Sequence, residues 1–173
     1  MKKLLIFIVV FVVLAVVIFL APAFLRPEVN NESMVLINKP TENVWQKFMN
    51  PENMGKWLSN FKRIEPISGA PETPGSKFKI VLDMEGQEQS AVETVNEVVP
   101  NTKFAFDLES DIFKDEITVT FENKGLSTEM VQTEKAYGKG LVWRAMMFWM
   151  SSTMANISQQ NLENFKKFAE KSE

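Results

Sequence analysis

The run KFKIVLDMEGQEQSAVETVNEVVPN, residues 77–101, carries the clearest structural signal in the chain. Phe78, Ile80, Leu82 and Met84 alternate with Lys77, Lys79 and Asp83, the period of two expected of a strand with one face buried. Val81 is the one exception. Glu85-Gly86-Gln87 forms a turn, Gln89 to Val98 brings the chain back, and Pro100-Asn101 turns it again. A strand that returns through so short a turn lies antiparallel to itself.

The same pattern continues on both sides. Downstream, Thr102 to Leu108 sets Phe104, Phe106 and Leu108 on one face. Ile117 to Phe121 repeats the alternation, Asn123-Lys124-Gly125 is a hairpin signal, and Ser127 to Ala136 is a last strand. Upstream, Phe61 to Ile67 is a strand ending at Ser68-Gly69, followed by a loop through Pro71, Pro74 and Gly75. A short strand at Ser33 to Ile37 precedes a helix opening at Lys39-Pro40-Thr41, with Val44, Trp45 and Phe48 at helical spacing. Asn50-Pro51 breaks that helix, and a second short one with Met54 and Trp57 on one side runs to Leu58.

After Gly138-Lys139-Gly140, a long helix is expected from Leu141 to Lys171. Trp143, Met146, Met147, Met150, Met154, Ile157, Phe165 and Phe168 fall in one wide apolar stripe, with Asn161 inside it and Phe148 opposite it as misfits. An antiparallel sheet with one apolar face must bury that face, and this helix is the available cover. The fold class is therefore α+β.

The N-terminus is of another kind. Leu4 to Leu25 is uncharged and apolar on every face, and a helix of that length spans about 33 Å against a hydrocarbon core of about 30 Å. It exceeds the usual apolar run of a signal peptide. Residues 1–26 are read as a transmembrane anchor ending at Pro22, 27–32 as a linker and 33–173 as the domain. Lys2 and Lys3 place the N-terminus in the cytoplasm and the domain outside. The alternative is export with cleavage after Ala21-Pro22-Ala23.

Composition removes much chemistry. Cysteine and histidine are both absent, so thiolate sites, disulfides, histidine bases and Ser-His-Asp triads have no residues to form them. Net charge is −3 and the arginines, Arg26, Arg63 and Arg144, are scattered, which argues against nucleic acid as a partner. No metal or cofactor is called for. Asp83, Glu93, Glu97 and Glu134 fall mostly on strand faces expected to be solvated, and no catalytic residue is assigned.

Particular residues carry a resemblance as well. Ile37-Asn38-Lys39-Pro40 followed by Val44-Trp45, Asn50-Pro51-Glu52-Asn53 with Trp57, Ser68-Gly69, Pro74-Gly75-Ser76-Lys77-Phe78 and the terminal Leu162-Glu163-Asn164-Phe165-Lys166-Lys167 resemble the START-like, or SRPBCC, superfamily. The chain looks like its membrane-anchored bacterial branch. The resemblance implies a helix-grip fold: a curved antiparallel sheet wrapped around the C-terminal helix, with a cavity between them. It also implies a hydrophobic, lipid-like small molecule as partner. Alternatives within the superfamily are a chaperone-activating interaction module and a polyketide-cyclase-type enzyme. In such a fold Phe78, Ile80, Leu82, Phe104 and Phe106 would face Trp143, Met147 and Met150, and these are the expected ligand-binding residues.

Overall fold

A computed structural model describes residues 2–171. The expected start of the anchor at Met1 and the last residues of the domain, Ser172 and Glu173, lie outside the described residues. The elements run α1 (Lys2–Leu25), β1 (Glu28–Ile37), α2 (Thr41–Met49), a 3-10 turn (Pro51–Lys56), β2 (Phe61–Ser68), β3 (Lys77–Met84), β4 (Gln87–Val99), β5 (Lys103–Glu109), β6 (Phe113–Asn123), β7 (Thr128–Gly138) and α3 (Leu141–Glu170).

All the strands form one seven-stranded sheet in the order β1-β7-β6-β5-β4-β3-β2. Each pairing is antiparallel. Sequence neighbours pair from β2 to β7, as a meander must, and β1 closes against β7. A bulge between Val95 and Glu97 in β4 bends the sheet. Its concave face carries Val35, Ile37, Phe78, Val95, Phe104, Ile117, Val119, Phe121 and Met130, which with Val44 and Trp45 of α2 and Leu162, Phe165 and Ala169 of α3 make the core. This is the helix-grip α+β fold.

Two expectations at the N-terminal end need correcting. Pro22 does not end α1, which continues to Leu25, with the Arg26 N–H donating to the Pro22 carbonyl at 2.8 Å. Proline removes one backbone donor, and so close to the helix end little else is lost. Residues 28–32 are not linker but the first half of β1, in register with β7 from Glu28 opposite Tyr137 to Ile37 opposite Thr128. The alternation is hidden there because the inward position is polar: Asn31 donates through Nδ2 to the Glu134 carboxylate at 3.1 Å.

Side chains of α3 hold the free edge of β1. The Gln159 amide accepts from the Met34 N–H (3.2 Å) and donates to the Met34 carbonyl (3.1 Å). The Glu170 carboxylate accepts from the Asn38 N–H at 2.7 Å. In return Lys47 of α2 donates to the carbonyls of Ala169 and Lys171, both at 3.3 Å, satisfying groups a helix C-terminus leaves open. Gly138 lets α3 start where it does, since a Cβ there would run into the backbone of Trp143 and Arg144.

Candidate functional site

The apolar side chains that drive α2 inward also roof a pocket. Thr41 and Thr128 share a hydroxyl hydrogen bond at 3.1 Å that fixes the start of α2. Val44 and Trp45 then enter the core, and Phe48 points toward the 3-10 turn. That turn opens in the order its sequence asks for: Asn50 caps it by accepting from the Glu52 N–H at 3.0 Å, with Pro51 at its first position. Asn53 ties it back by donating to the Lys47 carbonyl at 2.9 Å. It delivers Trp57, which stacks on Phe48 at 5.6 Å and meets Phe165 edge-on at 5.3 Å.

Beneath these groups is a cavity of about 90 Å³. Phe48, Met54 and Trp57 form its roof; Ile64, Phe78, Val95, Phe104 and Phe106 form its floor; Pro71 and Glu72 of the β2–β3 loop stand at its rim. The loop is held by Ser76, whose hydroxyl donates to the Ala70 carbonyl at 2.6 Å, and by the Gly75 N–H, which donates to the Val95 carbonyl at 2.7 Å. Gly69 has φ of +78°, and a Cβ there would strike Ser76.

Two polar groups interrupt the apolar lining. The Trp57 indole nitrogen is buried with no partner among the described residues, although buried indole N–H groups ordinarily find one. Glu93 is buried on the floor, and burial alone pushes its carboxyl up to about 7. Nearby on the same sheet face, Asp115 is also buried, with one carboxylate oxygen unpartnered among the described residues. Burial first, then the neighbouring Glu134 charge, push it up to about 7. Glu134 itself is buried and accepts from Asn31 and from the Ser158 hydroxyl of α3 at 2.6 Å.

These carboxylates correct the reading of the acidic residues. Asp83 and Glu97 are at the surface, facing Lys62 at 3.9 Å and Lys103 at 2.6 Å. Glu93 and Glu134 are not on solvated faces. Asp115 was missed, yet its signal is present: Phe113, Asp115, Ile117, Val119 and Phe121 share one parity of β6, so an inward Asp115 follows from the alternation. Trp57, set with Met54 on one side of its short helix by the sequence, lines the pocket.

Of the expected ligand-binding residues the structure brings together Phe78, Phe104 and Phe106, with ring centroids of the last two 5.1 Å apart. Ile80 is buried on the same face of β3, opposite Ile64 and Ala91, beyond the cavity. Leu82 lies farther along, half-buried opposite Phe61 and Gln89. Trp143, Met147 and Met150 are not part of the lining. Trp143 and Met150 are exposed, and Met147 is half-buried. The physical reason is a rotation of the buried face: near the middle of α3 it is Ser158 that bonds the sheet, through Glu134, while Met150 is turned outward. The misfit at Asn161 resolves too, since its side chain accepts from the Ser59 N–H at 3.0 Å.

The model of the family described as activator of Hsp90 ATPase homolog 1-like protein matches residues 38–170. The chain belongs to that family. Its solved structural neighbours show the same fold at low identity. The Zhui aromatase/cyclase from a Streptomyces species superposes with a TM-score of 0.70 at 12% identity, covering 83% of this chain and 94% of that one. Ara h 8.0201 gives 0.66 at 13%, covering 82% and 97%. TTHA0849 from Thermus thermophilus gives 0.67 at 16%, covering 81% and 96%. No curated protein matches by sequence. Family and fold together place the chain in the START-like, or SRPBCC, superfamily.

Proposed function

We propose that this protein binds a hydrophobic small molecule, one that carries a single hydrogen-bonding group, in the cavity under Trp57. α1, which is long and apolar enough to cross a membrane, holds the site at the bilayer. One observation carries the reading: an apolar cavity is lined by Trp57, whose buried indole N–H has no partner among the described residues, and by Glu93, whose carboxyl is pushed up to about 7 by burial. Such groups are ordinarily satisfied, and a ligand's polar end would satisfy them. A volume of about 90 Å³ holds a small ring or the tip of an acyl chain, so a lipid-sized ligand requires the rim at Pro71 and Glu72 to move outward.

The test is native mass spectrometry of the full chain from its own host, followed by titration of the emptied protein with a fluorescent fatty acid. A co-purified ligand, or saturable probe binding that Val95→Phe abolishes without lowering the melting temperature, is the expected result. Absence of both overturns the reading.

One observation favours a second reading, a cyclase-type enzyme. Glu93 and Asp115 are both held near neutrality inside the sheet, as a general acid or base must be. A solved neighbour is an aromatase/cyclase. Chemical conversion of the co-purified ligand, lost in Glu93→Gln, would favour this reading over simple binding.

A further inference from the structure

A helix on a soluble domain turns its apolar face to the core and its polar face to water. The first half of α3 departs from this. Just past it, where the helix meets the sheet, polar side chains hold its orientation: Ser158 donates to Glu134 at 2.6 Å, and Gln159 bonds the backbone of Met34. Its outward side presents Val142, Trp143, Trp149, Met150 and Ile157, with Trp149 54% and Met150 48% exposed. From Leu141 to Leu162 the only charged residue is Arg144. Rolling the helix to hide this face would break the bonds to Glu134 and Met34, so its orientation is fixed.

What covers the face is indicated by its neighbour. α3 packs against α1, and the Trp149 indole N–H donates to the Phe19 carbonyl at 3.1 Å. Apart from that contact, no residue in the apolar window of α1 is buried against the protein. About 20 residues cross a hydrocarbon core, so a span counted from Leu4 ends near Ala23. Phe19 thus sits close to the level where acyl chains give way to headgroups, the level at which tryptophan concentrates. Only Arg26 and Pro27 separate α1 from β1, which keeps the domain against that surface. Ile112, whose carbonyl accepts from the Lys139 N–H at 2.8 Å just before α3, is exposed beside it and extends the patch.

We infer that the first half of α3 is an interfacial helix, lying on the lipid surface with Trp143, Trp149 and Met150 at the boundary between headgroups and acyl chains. This rests on the reading of α1 as a membrane span. The full chain is reconstituted in phosphatidylcholine vesicles whose acyl chains carry bromine, which quenches tryptophan on close approach. α1 contains no tryptophan, so the signal reports the domain. Quenching is expected in the parent and most of it should vanish in Trp143→Phe/Trp149→Phe; Trp149→Phe alone serves where the double variant misfolds, with about half the quenching lost. Carbonate extraction of the same vesicles reports α1 independently. Protein retained but unquenched overturns the interfacial helix and leaves the span standing. Protein extracted by carbonate overturns both.

Discussion

From Leu162 onward α3 sends Leu162, Phe165 and Ala169 into the core; from Leu141 to Ile157 it sends Trp143, Met150 and Ile157 away from it. On a helical wheel Met150 and Phe165 are only about 60° apart. The difference is made by what stands opposite. The second half meets Trp57, Phe48 and the apolar end of the sheet. Between the two halves the helix meets a polar group of the sheet, the Glu134 carboxylate, and places Ser158 against it. An apolar stripe therefore does not say which of its residues the core will receive.

The contrast can be broken by truncation. Phe165→Ala removes a wholly buried ring and should cost about 3–5 kcal/mol, read as a lowered denaturant midpoint with unchanged slope. A loss under about 1 kcal/mol would mean the second half of α3 is not a core element.

Glu93, on the pocket floor, sharpens it through pH. Burial raises its carboxyl from the usual 4.5 to about 7, so the folded chain keeps a proton that the unfolded chain releases. The resulting contribution is full below pH 4.5 and is lost as pH rises through 7. Glu93→Gln keeps the shape and removes the titration. It should be more stable than the parent by about 2–3 kcal/mol at pH 8 and equal to it at pH 4. Parallel melting curves for the two proteins across that range would show that the carboxyl is not desolvated.

The smallest effect is expected at Met150. It is 48% exposed, so Met150→Ala should change stability by less than about 0.5 kcal/mol in detergent. A cost like that of Phe165→Ala would erase the distinction between the halves.

Sequence made the order of elements legible, because strands with one wet and one dry face alternate visibly and the turns carry Gly, Pro and Asn. Of the residues it grouped, Phe78, Phe104 and Phe106 come together on the floor of the cavity. It missed Trp57, because a pocket roof and a core present the same residue type. Glu28 to Glu32 escaped notice because a strand whose inward partners are polar has no apolar period. The placement of Met147 and Met150 failed on rotation: a stripe this wide fixes the facing direction only to within a quarter turn.

The two borders of the sheet have a further consequence. Along β1 the Met34 N–H and carbonyl are already taken by Gln159, and just past the strand the Asn38 N–H is taken by Glu170. Along β2, Pro66 lacks a donor and the pairing is broken between Phe61 and Arg63 and between Pro66 and Ser68. Neither border offers a clean row of free amides to an incoming strand. Extension of the sheet by a second chain or an extended peptide is thus disfavoured at both ends, which protects against runaway strand-to-strand assembly when many copies crowd together.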